Sequence, residues 1–180
     1  MQTKKSDSHL QQSSNVNNLF IDQQHPISEQ FGFEMAEKGL NVLDISDDSD
    51  SLWYENLINL SPNEPTIIAG LTNHRTLICL ENFARSFNLI TVYKGEHTDS
   101  GTEVLHRVQG AKNIINQITA DKDSNASWTT QLADLVAGCT NQNNIEQSTS
   151  MFSTPPSNNT ANHSGTLFSW VMVSRNISAG

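Results

Sequence analysis

Between residues 65 and 93 the apolar positions change their period twice. Ile67, Ile68 and Ala69 form a short continuous apolar run, and from Thr76 onward Leu77, Leu80, Ala84 and Phe87 recur at i, i+3, i+7 and i+10. Leu89 to Tyr93 then returns to β-branched and apolar residues. The outer patterns predict strands, and the middle one predicts an amphipathic helix whose apolar stripe faces a sheet. So short a crossover normally joins parallel strands, which places the strand-to-helix junction at Leu71 to Arg75 where α/β proteins carry their functional surface.

The remainder of the chain supplies further elements of the same kinds. Residues 1–25 are polar and low in complexity and read as a disordered tail. Ile27 to Met35 alternates weakly, as an edge strand would. Ser51 to Leu60 places Trp53, Leu57 and Leu60 at helical spacing, with Asp50 or Ser51 suited to begin the helix and Pro62 to end it. Gly95 to Gly101 reads as a loop, followed by a helix over Thr102 to Ala111 carrying Val104, Leu105 and Val108, and Asn113 to Thr119 reads as a polar strand. Ser127 opens a regular helix with Trp128, Leu132, Leu135, Val136 and Cys139 on one side. Residues 141–164 are almost wholly polar, an insertion too long to be an ordinary connection. Thr166 to Val173 follows as the most strand-like run. This alternation predicts one α/β domain over residues 26–175, with a mostly parallel sheet flanked by helices and a short tail at 176–180.

Composition narrows the function. Only 36% of the residues are hydrophobic and 16% charged, with a formal net charge of −9. The charge is uneven: from Glu29 to Glu64 nine acids stand against Lys38 alone, a net of −8, whereas Pro65 to Lys112 carries five bases against four acids. Without clustered Lys and Arg there is no footprint for nucleic acid. No run approaches a membrane span and the amino-terminal stretch has no apolar signal core. Two cysteines, Cys79 and Cys139, each set in a helical pattern, suit a reduced cytoplasmic setting.

Active-site signatures are equally sparse. The nine glycines form neither GxGxxG nor GxxxxGK[ST], so no phosphate loop is encoded and no nucleotide cofactor is expected. The six histidines are scattered; His97 and Asp99 share a loop with His106 further on, which reads as solvated polar residues rather than metal ligands. Cys79 and Cys139 read as buried thiols, and Trp53, Trp128 and Trp170 as core. Phe83 lies beside the Leu77, Leu80, Ala84 line, and Arg75, Arg85 and Lys94 form the one local excess of positive charge, which suits an acidic partner.

The strand, helix, strand unit resembles the centre of the SulA family, the SOS-induced bacterial inhibitors of cell division. Leu71-Thr72 at the strand end, Leu77 and Ala84 in the helix and Leu89 to Val92 in the second strand keep that family's register, and similar spacing runs from about Ile27 to Arg175. The family's helix tryptophan falls at Glu81, with Phe83 the nearest aromatic, and its second-strand lysine falls at Thr91, with Lys94 the nearest base. The resemblance implies a single RecA-like domain without a phosphate loop, no enzymatic activity, and a response to DNA damage in which the protein binds FtsZ and blocks its GTP-dependent polymerisation into the Z-ring. Taken with the local excess of positive charge and with Phe83 beside the apolar line, it places the expected contact surface at Leu71, Thr72, Arg75, Glu81, Phe83, Arg85 and Lys94, so that Leu71→Asp weakens inhibition and leaves the fold intact. Turnover by Lon protease is a family property, although the chain lacks the terminal histidine of the best-known members; pairing with a second copy stays open. Two readings from other classes stand beside it: a small hydrolase using Cys79 or Cys139, and an acidic adaptor or immunity-type protein binding a basic partner through residues 29–64.

Overall fold

The computed structural model describes residue 16 and residues 18–46, 55, 58, 66–120, 126–138, 146–156 and 165–174. They form one seven-stranded mixed sheet with four helices. The strands are β1 (Asn18–Ile21), β2 (Val42–Asp44), β3 (Ile67–Thr72), β4 (Leu89–Asp99), β5 (Val104–Ala111), β6 (Gln147–Thr154) and β7 (Gly165–Ser174). The helices are α1 (Pro26–Glu37), α2 (His74–Ser86), α3 (Lys112–Ala120) and α4 (Trp128–Ala137).

The strand order is β2-β1-β3-β7-β4-β5-β6. Only β1–β2 and β1–β3 pair in parallel, and the other four pairs are antiparallel, which corrects the expected mostly parallel sheet. The α2 crossover does set β3 and β4 parallel, as its length demands. It does not make them neighbours. The chain leaves β6 at Thr154, beside Val104, and begins β7 at Gly165, beside Asp99, so both lie at the same end of the strands. A strand entering from that end runs opposite to β4, and β7 slots antiparallel between β3 and β4.

Successive strand residues point to opposite faces, and the two faces build separate cores. Leu19, Ile21, Ile67, Ala69, Leu71, Val171 and Val173 meet Ile27, Phe31 and Met35 of α1 and Leu132 and Val136 of α4 on one side. Phe20, Ile68, Trp170 and Met172 meet Leu77, Leu80 and Ala84 of α2 on the other. Among the described residues Trp170 is the largest fully buried side chain, and it lies across Gly70, its register partner in β3. A methyl group at Gly70 would stand 2.4 Å from Trp170 Cζ2 and 2.5 Å from the Phe20 carbonyl oxygen. Gly70→Ala is therefore expected to lower stability by about 1 to 3 kcal/mol, as overpacked cores do. An unchanged melting temperature would show that the indole has room to move.

Several predicted elements change type. Ile27 to Met35 lies in α1, because Ile27, Phe31 and Met35 recur every four residues and bury one helical face. Thr102 to Ala111 is largely strand β5, with Val104, His106, Val108 and Gly110 buried in alternation. Asn113 to Thr119 lies in helix α3, which buries Ile115 and Ile118. The predicted loop from Gly95 belongs mostly to β4. The predicted tail includes β1 at 18–21, where Leu19 and Phe20 are wholly buried, and the polar insertion includes β6 at 147–154. Of Ser51 to Leu60 only Glu55 and Ile58 are described, both helical and exposed. Trp53, Cys139, Arg175 and the tail at 176–180 lie outside the described residues.

Candidate functional site

The seven residues expected to form a partner surface fall into three groups. Leu71 and Thr72 are fully buried in β3, where Thr72 Oγ1 accepts a hydrogen bond from Trp170 Nε1 at 3.1 Å. Their place on a contact surface is thereby overturned: β3 is the third of seven strands and is covered on both faces. Glu81 and Lys94 pair with each other at 3.1 Å, and Phe83 is half-buried against the α2-side core. Arg75 and Arg85 are exposed. Asn73 caps α2 by accepting the Thr76 N–H at 3.0 Å, which fixes the helix start and turns the stripe Arg75, Ile78, Asn82 and Arg85 to solvent. Ile78, 45% exposed, is an apolar member that sequence reasoning missed, although its i+3 spacing from Arg75 was there to read. Beside this stripe is a hollow of about 240 Å³ lined by Glu81, Thr91, Lys94 and Gln109 among others.

A second region lies at the carboxyl ends of β1, β3 and β4, where open α/β sheets hold their ligands. In the β1–α1 loop the buried Asp22 carboxylate accepts the Gln24 N–H at 3.2 Å and the Asn73 side-chain amide at 2.9 Å. An acid thus sits in the loop ahead of α1, where a phosphate loop would present bare N–H groups. Ser28 ties the loop down, receiving the Asp22 N–H at 3.0 Å and donating to the Leu71 carbonyl.

Between β4, β5 and β7 runs a chain of buried polar side chains that sequence reasoning also missed. His97 and His106 face each other across the β4–β5 hairpin with their Nδ1 atoms 2.7 Å apart. His97 Nε2 reaches Ser169 Oγ at 2.6 Å, Ser169 donates to the Tyr93 hydroxyl at 3.1 Å, and His106 Nε2 reaches Thr154 Oγ1 at 2.8 Å. With Ser169 donating to Tyr93, the other bonds run in one sense: Thr154 to His106, His106 to His97, His97 to Ser169. Each imidazole then carries one proton and is neutral. Two protonated rings would bring two N–H groups nose to nose. Burial depresses the basicity of both rings, taking His106 to about 4; for His97 burial leads and the neighbouring His106 adds, holding it well below the ordinary 6.5. Gly95 leaves room for this network, since a Cβ there would stand 2.6 Å from Ser169 Oγ. Trp128 at the start of α4 stacks on His97 with centroids 4.7 Å apart, and Phe152 of β6 stacks on His106 at 4.8 Å.

His97 also forms one wall of a cavity of about 190 Å³ that includes His25, Asp99 and Trp128. Among the described residues no group of three or more His, Cys, Asp and Glu is placed to hold a metal. No described helix is long and apolar enough to cross a membrane. Cys79 lies half-buried against the α2-side core. No protein-family model, curated protein or solved structure matches the chain.

Proposed function

We propose that the protein is a non-enzymatic, cytoplasmic inhibitor of cell division in the SOS response, which binds FtsZ and blocks its GTP-dependent assembly into the Z-ring. The observation that carries this reading is the exposed α2 stripe of Arg75, Ile78, Asn82 and Arg85 in a chain whose net charge is −9. A basic rim around an apolar centre is the chemistry of a docking face for an acidic partner, with the charges steering encounter and the apolar contact holding it. The partner comes from the resemblance to the SulA family. Glu81 and Thr91, where that family carries its tryptophan and lysine, line one hollow with Lys94 next to the stripe, which supports a shared contact region. The parallel strands β1, β2 and β3, with a helix directly after β1 and Asp22 in place of a phosphate loop, suit a RecA-like frame adapted to binding. Inhibition then needs only sequestration by mass action, without chemistry.

The test is sedimentation and GTPase measurement of FtsZ with increasing inhibitor. Wild-type protein in excess is expected to abolish GTP-dependent sedimentation. Arg75→Glu combined with Arg85→Glu is expected to weaken inhibition at least about tenfold, or about 1.4 kcal/mol, while the double variant folds like the wild type because the side chains are exposed. Unchanged sedimentation and GTPase with excess wild-type protein would overturn the reading. Equal potency of the double variant would move the interface off α2.

A further inference from the structure

Asp99 closes β4, lines the cavity of about 190 Å³ and is only 8% exposed. Its Oδ1 accepts the Gly101 N–H at 2.7 Å, and among the described residues no Lys, Arg or His pairs with it. A buried carboxylate is normally matched by a cation, because leaving one unpaired costs several kcal/mol. The cavity's own bases are committed elsewhere: both ring nitrogens of His97 are bonded within the polar network, and His25 turns to Asp22 at 3.6 Å. Among the described residues no lysine or arginine lines the space, which disfavours phosphates and carboxylates as occupants. Ile27, Val104, Leu167 and the Trp128 indole supply apolar and aromatic walls. A cavity of roughly 150 Å³ accepts benzene, so this one has room for a single ring with a short substituent.

We infer that this cavity binds a small organic cation, a primary amine carried on one ring, with its ammonium on Asp99 and its ring against Ile27, Val104 and Leu167. Aromatic and apolar walls beside one carboxylate favour a cation over its neutral isostere, since the charge pair forms where water is largely excluded. The location agrees with the general rule for α/β sheets, at the carboxyl ends of β1 and β4. The cavity lies on the α1 and α4 side of the sheet, opposite α2, so the inference does not depend on the proposed FtsZ contact.

The experiment titrates the full chain with phenethylamine, 2-phenylethanol and phenylacetate, following calorimetric heat, melting temperature and the Trp128 indole N–H resonance. Phenethylamine is expected to bind saturably and raise the melting temperature, 2-phenylethanol to bind at least about tenfold more weakly, and phenylacetate not to bind. In Asp99→Asn the amine is expected to fall to the level of the alcohol. No saturable amine binding, or equal affinity for amine and alcohol on the wild type, overturns the inference without any need for the variant. An amine preference that survives in a folded Asp99→Asn overturns the role of Asp99.

Discussion

Lowering the pH from 7.5 to 4.5 is expected to remove about 2 to 3 kcal/mol of folding stability through His106 alone, from its folded value of about 4 against an ordinary 6.5. The sign follows from proton uptake. Below pH 6.5 the unfolded chain protonates these imidazoles while the folded chain holds them neutral, so acid pulls the equilibrium toward unfolding until the pH reaches the folded value. Stability from His106 is thus complete above about pH 6.5 and declines steadily to about pH 4. His97, held well below the ordinary 6.5 by burial and by the neighbouring His106, acts in the same direction. Ordinary carboxylates titrate mostly below this window, which separates the two contributions. Denaturant unfolding at pH 7.5, 6.0 and 4.5 measures the effect, with the midpoint expected to fall at each step. His106→Gln, which can still donate and accept at Thr154, is expected to flatten the slope at some cost in absolute stability. A midpoint independent of pH across the window would mean that the two rings are solvated.

The largest effect expected of a single substitution belongs to Leu71→Asp. Leu71 is fully buried in β3, between Ile21 of β1 and Ser169 of β7, and its carbonyl receives the Ser28 hydroxyl. Removing a buried leucine side chain costs about 2 to 5 kcal/mol, and placing a carboxylate there without a partner adds several more. Together these approach the roughly 5 to 15 kcal/mol by which such domains are stable at all. The variant is expected to lack a cooperative thermal transition and to be cleaved rapidly by protease, whereas Leu71→Ala melts cooperatively at a lower temperature. Loss of partner binding in Leu71→Asp would then report unfolding. If the variant instead melts within a few degrees of wild type, Leu71 is accessible and its place on a contact surface is restored.

Where the sequence spoke clearly, one period excluded the other. Leu77, Leu80 and Ala84 fit a helix and no strand, and Trp128, Leu132, Leu135 and Val136 likewise, so α2 and α4 were legible. The run Thr166 to Val173 was equally plain, because a central strand buried on both faces is apolar throughout. Ambiguity arose where a spacing of four satisfies both periods. Val104 and Val108 fit a helix as well as a strand, and the residue that decides between them is His106, which is polar and yet points inward. Strand β6 hid for the same reason, since Ser148, Ser150 and Thr154 take the inward positions that apolar residues usually mark. Strand β1 was concealed by its length of four residues within a polar stretch. The histidine pair followed from the misread hairpin: Ser100-Gly101 between two alternating runs is a turn signal, and folding there brings residues 97 and 106 opposite each other. Of the expected partner surface, Arg75 and Arg85 are exposed. Leu71 and Thr72 are buried, because nothing local in a strand tells whether it will lie inside the sheet with helices over its faces.

The position of β7 has a consequence for how this chain acquires its structure during synthesis. Strands β3 and β4 share no hydrogen bonds; each is bonded to β7 instead. Until residues 165–174 leave the ribosome, the sheet exists as two separate pieces, β2-β1-β3 and β4-β5-β6, each with a long inner edge of unpaired backbone groups. At translation rates of about 5 to 20 residues per second, those edges stay open for several seconds after β4 emerges. The final ladder also joins residues about a hundred positions apart, as in Ile67 with Val173, a separation that slows folding. The nascent chain therefore passes through an interval in which its most adhesive surfaces are bare, and completion of the domain is an event of the last strand.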